Sequence, residues 1–260
     1  MQQRGRARAL TLPFGPHGRR DRESFVRIDE HRPTSALAVF AHPDDPEVSC
    51  GGTLATWSRA GASVHIAIVN RGDKGSVDPT TDPVALATQR SGEVAAASTL
   101  LGAQGVHLFG YPDGESENDL DLRRCLVELV RRLRPEVVIC PDPTALFFGD
   151  SYVNHRDHRV CGYAVLDAVA PAAASPLYFP DAGAAHQVAA LYLAGSLEPD
   201  TAVAISDVLD VKVAALACHR SQLEGTGAFV DELVTARAAE AGRRLGLKHA
   251  ETFRVVRLAT

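Results

Sequence analysis

A short apolar segment that stops at a polar motif constrains the fold of this chain more than any other feature. Residues 37–41 predict a buried strand, and the sequence His42-Pro43-Asp44-Asp45 follows directly. Pro43 fixes its own φ angle and biases His42 away from helical conformations, so the strand gives way to a loop here. A strand that ends in an imidazole and two carboxylates is typical of a ligand site at the edge of an α/β sheet.

The same strand-then-helix unit recurs along the chain. Further strands are predicted over 64–69, 106–109, 137–140, 188–193, 202–205 and 253–258, and helices over 48–60, 82–101, 120–133, 160–169, 208–219 and 232–245. This alternation predicts an α/β fold: a Rossmann-like, mostly parallel sheet flanked by helices in a single three-layer domain. The first strand is not followed by a GxGxxG motif, so nothing supports a dinucleotide cofactor.

Composition excludes several classes of protein. The 260 residues carry a formal net charge of −5, which argues against a nucleic-acid or anionic-membrane surface. The five cysteines form no CxxC pair, so they predict buried thiols in a reducing compartment and no disulfide framework. No apolar segment approaches the roughly 18 residues of a membrane span. We therefore expect a cytoplasmic protein without stable membrane insertion.

The N-terminus has a composition of its own. Residues 1–33 are rich in arginine and lack the apolar core of a secretory signal. We interpret 1–33 as a mobile basic arm, with contact to a partner as the alternative, and 34–260 as the folded domain.

A second polar cluster, Asn154-His155-Arg156-Asp157-His158, precedes an apolar helix. His155 and His158 are three residues apart at a helix start, so their side chains lie on one side. All loops that follow parallel strands leave the same edge of the sheet, and this cluster therefore reaches the first motif. Two such sets of histidine and aspartate favour a metal site over ordinary loop residues.

His42, Asp45 and His158 would form a two-histidine, one-carboxylate set with a position left for water, which describes a catalytic zinc site. Fe²⁺, Mn²⁺ and Co²⁺ remain alternatives. Asp44 is then spare beside the metal and suits the general base for an activated water. His155, oriented and kept protonated by Asp157 or a neighbouring carboxylate, would stabilise an oxyanion. The structural alternative is an aspartate that caps a helix beside a turn.

The two motifs resemble the AHPDD and HxDH motifs of the LmbE-like, PIG-L-type de-N-acetylase superfamily. The resemblance extends over most of the chain after the arm and includes Gly51-Gly52, Tyr111-Pro112-Asp113-Gly114 and His219-Arg220-Ser221-Gln222. It implies zinc-dependent removal of an acyl group, usually acetyl, from an N-acylated amino sugar. It also implies a homo-oligomer.

The resemblance assigns the same roles to the motif residues as their chemistry does. It implies that His42, Asp45 and His158 bind zinc, that Asp44 is the general base and that His155 assists the oxyanion. This sequence departs from the family pattern at two points. Pro46 stands between Asp45 and Glu47, where the family motif commonly continues directly with glutamate. Some members have an assisting tyrosine where this chain has Val153, and the nearby tyrosine here is Tyr152. Neither Glu47 nor Tyr152 therefore receives a role.

Several other residues have two interpretations. Arg71, Arg90 and Asp113 are candidate substrate contacts by location, although Arg90 and Glu93 at helical spacing equally predict a surface ion pair. His219 predicts a cationic helix C-cap. Residues 146–148 form a lid or pocket wall, or pack in the core.

Three functions compete at this point. The leading one is a metal-dependent hydrolase that removes an N-acyl group, expected to be acetyl, from a small amino-sugar molecule or glycoconjugate. The alternatives are a non-catalytic Rossmann-like binding protein and an amidase that acts on a non-sugar amide. A nucleotide-sugar transferase would need phosphate-binding loops that Gly51-Gly52 alone does not supply.

Overall fold

The computed structural model describes residues 26–223, 227–243 and 245–259, and of residues 227–230 the backbone alone. The strands are β1 (Arg27–Ile28), β2 (Ser35–Phe40), β3 (Ser63–Asn70), β4 (Gly105–Tyr111), β5 (Val137–Pro141), β6 (Phe147–Phe148), β7 (Tyr152–Val153), β8 (Ala190–Ala194), β9 (Thr201–Ala204) and β10 (Ala250–Arg257). The α-helices are α1 (Asp45–Arg59), α2 (Pro83–Leu100), α3 (Leu120–Leu133), α4 (Arg156–Asp167), α5 (Leu209–Leu216), α6 (Arg220–Leu223) and α7 (Gly227–Arg243). An irregular helical segment, Ala168–Ala173, follows α4.

Among these residues, eight strands form one sheet in the order β1-β9-β10-β8-β5-β2-β3-β4. β4, β3, β2, β5 and β8 run parallel to one another, and β10 runs antiparallel to both β8 and β9. This arrangement confirms the predicted Rossmann-like, mostly parallel sheet.

The strand order reverses between β2 and β5. From β2 the chain moves outward through β3 to β4, and it then returns to the other side of β2 to form β5. In open α/β sheets the crevice beyond such a switch point is where ligands bind. Both polar motifs follow the strands that flank it.

The core forms two layers, one on each face of the sheet. Along β2, Ala36, Ala38 and Phe40 belong to one layer, and Leu37 and Val39 to the other. Because both faces are covered, the strand is apolar at every position from Ala36 to Phe40 instead of alternating. The predicted three-layer domain follows from this arrangement.

A buried ion pair ties α1 to the last strand of the sheet. Glu251 on β10 accepts hydrogen bonds from the backbone N–H groups of Gly52 (3.0 Å) and Thr53 (2.7 Å) and pairs with buried Lys212. Lys212 also donates to the carbonyl of Val48 (2.8 Å). A Cβ at Gly52 would lie 2.8 Å from the Ile205 side chain, so only glycine fits there.

Element boundaries differ from the predictions mainly around the two motifs. α1 begins at Asp45 instead of residue 48, since Pro46 is acceptable in a first turn, and α4 begins at Arg156 instead of residue 160. The predicted long loop 141–154 contains the β6–β7 hairpin. No helix of the described residues has the length and apolar character needed to cross a membrane.

The N-terminal arm is described only in part. Residues 1–25, with the arginine cluster, lie outside the described residues. Arg27–Ile28, which the sequence analysis includes in the arm, instead pair with Thr201 and Ala202 as a strand of the sheet. Two exposed residues at a sheet edge carry no sequence pattern that would predict a strand.

Candidate active site

The loops that follow β2, β3, β4 and β5 line one cleft of about 480 Å³. Its walls are His42, Asp44, Asp45, Lys74, Gly75, Arg90, Asp113, Gly114, Tyr152, His155, His158 and Gln222. The first motif and the second therefore meet, as the parallel topology requires.

Nitrogen and oxygen atoms of His42, Asp45 and His158 form a compact group. Nδ1 of His42 lies 3.4 Å from Nε2 of His158 and 3.6 Å from Asp45 Oδ2, and Asp45 Oδ1 lies 3.3 Å from His158 Nε2. Ligand atoms that share one zinc ion at 2.0–2.2 Å in tetrahedral geometry are roughly 3.4 Å apart. The spacing of the three residues thus fits a divalent cation.

Hydrogen bonds outside the group orient both imidazoles. Nε2 of His42 lies 3.0 Å from Asp157 Oδ2, and Nδ1 of His158 lies 3.0 Å from Asn154 Oδ1. In its neutral form, each ring can donate one N–H to an outer oxygen and turn the lone pair of its other nitrogen toward Asp45. This arrangement is typical of histidines that bind metals.

A second group, His42 with His155 and Asp157, also has its ligand atoms within 4.8 Å of one another. Asp157 is fully buried and its Oδ2 already accepts from the backbone N–H of Gly114 (2.7 Å) as well as facing His42. Asp45 and His158 instead keep about a fifth of their side chains exposed toward the cleft. The first group is the better candidate for a substrate-accessible ion.

The charges of the cluster reinforce this interpretation. Burial alone would lower the pKa of His42, but hydrogen bonds to Asp157 and Asp45 outweigh it and raise the pKa to about 10. Burial would also lower the pKa of His158, but the charge of Asp45 and its hydrogen bond to the ring raise this pKa above its usual value. Burial would raise the pKa of Asp45, but the two histidines hold it well below its usual range. The site therefore attracts positive charge.

Asp44 differs from its neighbours in conformation and in environment. Its backbone φ is 93°, in the left-handed region that aspartate rarely adopts, and its side chain makes no capping hydrogen bond within the described part of the chain. Asp44 thus occupies the N-cap position of α1, but its side chain does not cap the helix. Burial and the nearby Asp45 raise the pKa of Asp44 to about 7, against the opposing charge of Arg90. This value suits a general base at neutral pH.

Arg90 supports the first motif from behind. It is buried, and its guanidinium donates to the carbonyls of Pro43 (2.7 Å) and Gly72 (3.2 Å) and lies 3.5 Å from Asp44 Oδ2. Glu93 instead accepts from the backbone and hydroxyl of Ser221. The predicted surface ion pair between Arg90 and Glu93 is wrong, because this face of α2 packs on the strand-end loops and not on solvent.

His155 occupies the N-cap of α4. Its Nδ1 accepts from the backbone N–H of Asp157 (3.2 Å), and about half of its side chain is exposed. The Asp157 carboxylate lies 3.7 Å from His155 Nδ1, farther than from His42. Burial and the charge of His42 lower the pKa of His155. His155 therefore presents a neutral ring with its proton on Nε2, which differs from the protonated imidazole predicted from the sequence.

Arg71 and Asp113 both organise the loop after β3. Arg71 pairs with buried Asp73 (2.8 Å) and lines a separate cavity of about 300 Å³. Asp113 lines the cleft, and its carboxylate accepts from the backbone N–H groups of Gly72 (2.8 Å) and Lys74 (3.1 Å). Of the two side chains, only that of Asp113 shares the cleft with His42, Asp45 and His158.

The β6–β7 hairpin forms one rim of the cleft. Tyr152 lines the cleft, and its ring centroid is 6.0 Å from that of Phe148. Phe147, on the opposite face of the hairpin, is 58% exposed, so core packing does not explain this segment. The wall-or-lid interpretation of residues 146–148 stays a prediction.

Two contacts beside the cleft were missing from the sequence analysis. Asn154, four residues before His158, was assigned no partner, although this spacing brings side chains together at a helix start. Glu47 and His219 form a fully buried contact, Oε2 to Nε2 at 3.1 Å. The predicted C-cap role of His219 is wrong, because its ring faces the first turn of α1 and not the carbonyls of α5.

The model of the family described as PIG-L, GlcNAc-PI de-N-acetylase, matches residues 37–169, half of the chain. The chain belongs to this family. Residues 37–169 include both polar motifs and all four strands that lead into the cleft.

One similar protein is the diacetylchitobiose deacetylase of Thermococcus kodakarensis, 29% identical over 85% of this chain and 82% of that protein. The structure of N,N'-diacetylchitobiose deacetylase from Pyrococcus horikoshii superposes with a TM-score of 0.78 at 24% identity, over 86% of this chain and 84% of that chain. Several other curated relatives are 32–33% identical, and the chain spans 44–63% of their length.

The fold also carries different chemistry. The 4-carboxy-2-hydroxymuconate hydratase GalB from Pseudomonas putida has a TM-score of 0.73 at 24% identity, over 87% of this chain and 98% of that chain. Likeness of fold does not decide the reaction, which depends on the side chains in the cleft.

Proposed function

We propose that this protein is a metal-dependent N-deacetylase that acts on an N-acetylated amino sugar or a small glycoconjugate of one. The observation that carries the proposal is Asp44, a carboxylate with a pKa near 7 that stands beside the His42, Asp45 and His158 group without belonging to it. A protein that only binds a metal or a ligand has no use for such a spare base.

His42, Asp45 and His158 would hold the ion, for which we propose Zn²⁺, with Fe²⁺ or another divalent metal as alternatives. When bound, the ion supplies Lewis acidity toward water and toward the amide carbonyl. Asp157 and Asn154 keep the two imidazoles in the tautomers that bind a cation.

The chain's own groups then account for the proton transfers of amide hydrolysis. Water adds to the amide carbon as the Asp44 carboxylate takes its proton, and the same carboxyl returns the proton to the nitrogen as the C–N bond breaks. The Nε2–H of His155 donates to the developing oxyanion. The products are acetate and a free amine.

A cleft of about 480 Å³ that opens on solvent suits a mono- or disaccharide. The name of the similar diacetylchitobiose deacetylase indicates such a substrate for that protein. We propose that Asp113 contacts the sugar, while Arg90 acts through Asp44 and Arg71 contacts only a substrate that extends beyond the cleft. The cytoplasmic location and the homo-oligomer stay predictions.

Elemental analysis combined with an acetate-release assay tests the proposal. The panel is N-acetylglucosamine, diacetylchitobiose and N-acetylglucosaminyl-inositol, with N-acetylated peptides as non-sugar amides. We expect about one metal ion per chain and acetate release from at least one sugar. Release from the peptides alone would identify an amidase of different specificity. Metal without turnover on any amide would favour the binding protein.

A further inference from the structure

The cleft mechanism leaves one buried ionisable pair unused. Glu47 and His219 are 1% and 0% exposed, and their contact joins the first turn of α1 to the segment between α5 and α6. Glu47 Oε1 and His219 Nδ1 are also buried, and neither has a hydrogen-bond partner among the described residues.

Stability does not explain such a pair. An unsatisfied buried polar atom costs about 1–3 kcal/mol. Replacing a buried ion pair with apolar side chains of similar volume is often neutral or stabilising. Glu47 and His219 satisfy only half of their hydrogen-bonding capacity, so the fold gains little from them.

Their location gives them a different use. Glu47 follows Asp44 by three residues, and Asp44 holds a φ of 93°. Non-glycine residues in this region carry about 1–3 kcal/mol of strain and persist only where contacts on both sides fix them. On the preceding side, Arg90 donates to the carbonyl of Pro43. On the following side, the contact is Glu47 with His219.

His219 is itself firmly held. Two residues later, Ser221 donates from its backbone and hydroxyl to Glu93 on α2 (2.9 and 2.6 Å). Gln222 donates from its side chain to the carbonyl of Gly75 (3.1 Å) in the loop after β3. Residues 219–222 thus connect α1, α2 and that loop behind the cleft.

We infer that Glu47 and His219 are positioning residues, which fix the first turn of α1 so that the strained Asp44 directs its carboxylate into the cleft. Neither residue touches the reacting atoms. The inference rests on the proposed role of Asp44 as the base, and it adds two residues to the machinery that sets the turnover rate.

The test replaces the pair with apolar side chains in the double variant Glu47→Leu/His219→Leu. We expect an unchanged or higher Tm, unchanged metal content and KM, and a 10- to 100-fold lower kcat. The single variant His219→Gln, whose amide can donate to Glu47, should keep most of the wild-type kcat. Val127→Ala, a core substitution in α3, controls for loss of stability alone.

Two results would overturn the inference. One is a kcat of the double variant within twofold of the wild type. The other is a fall in kcat that merely follows a fall in Tm, as in Val127→Ala. A crystal structure of the double variant gives a readout independent of activity, in which Asp44 should leave the positive φ. An Asp44 that is unmoved refutes the positioning role, whereas a wild type that releases no acetate refutes the proposed function alone.

Discussion

The two segments that meet in the cleft are held in opposite ways. Residues 42–45 follow β2 with a strained Asp44, and their supports, Arg90 and His219, come from 46 residues and more away along the chain. Residues 154–158 open α4 without a positive φ angle, and the rings of His155 and His158 accept or donate hydrogen bonds two and four residues away. The backbone of Asp44 thus depends on distant packing, whereas the orientation of these two rings depends largely on the local sequence.

This difference separates what each segment does. The first carries the spare carboxylate, whose position must be accurate, and its geometry is maintained by several elements together. The second supplies imidazoles whose orientation follows from a helix start. We therefore expect substitutions of the distant supports to act mainly on turnover, and loss of the local support of His158 to act mainly on metal affinity.

The largest expected effect is at Asp44 itself. Asp44→Asn keeps the shape but cannot take a proton, so we expect kcat to fall by about 10²- to 10⁴-fold with metal content unchanged. Acetate release and elemental analysis of the same sample measure both. Asp78→Asn, on an exposed loop, is the matched control. Turnover of Asp44→Asn close to the wild-type rate would show that Asp44 is not the general base.

Arg90→Gln probes the long-range support of the first segment. The buried carbonyls of Pro43 and Gly72 lose their donor, so the free energy of unfolding should fall by about 2 kcal/mol, together with kcat. Denaturant unfolding and acetate release measure the two effects. Arg124→Gln, at a half-exposed position of α3, should change neither. Normal kcat with lowered stability would show that Asp44 does not need Arg90.

Asn154→Ala probes the local support of the second segment. His158 loses the acceptor of its Nδ1–H, so metal affinity should fall by about 10- to 100-fold. Chelator competition measures it. Loss of the bond from Asn154 to the carbonyl of Ala145 should cost about 1 kcal/mol, less than in Arg90→Gln. Asn154→Asp keeps an acceptor and should retain more affinity, and equal affinity in both variants would contradict the orienting role.

The smallest expected effect concerns the loop after β3. Burial would raise the pKa of Asp73, but the backbone N–H of Asp113 and the Arg71 guanidinium lower it below its usual value. A carboxyl whose pKa is lower in the folded state stabilises the protein above pH 4 and loses this contribution as the pH falls through the folded pKa. Urea unfolding should show wild type more stable than Asp73→Asn at pH 6, with the difference shrinking toward pH 3. A difference independent of pH would exclude the ionised form as its source.

The same contrast explains which features could be predicted from the sequence. The strand before His42, the start of α2 and the bounds of α3 depend on local patterns, and they agree with the structure. The meeting of the two motifs followed from parallel topology alone.

Features that depend on distant packing could not be predicted. The positive φ of Asp44 has no sequence signal, because aspartate follows proline in many ordinary turns. Arg90 and His219 both carry patterns typical of exposed helix residues, and only the packing of α2 and α5 against the motif buries them. The exposure of Phe147 could not be predicted either, since two adjacent phenylalanines fit a core as well as the rim of a cleft.

The sheet order has a consequence for how the molecule matures during synthesis. β10 enters between β8 and β9, so residues 250–257 leave the ribosome after every strand that they join, and until then β8 and β9 present unpaired edges. Glu251 on this strand accepts the N–H groups in the middle of α1, the helix that begins beside Asp44. The hydrogen bonds from Glu251 to α1 therefore form only after β10 has been synthesised.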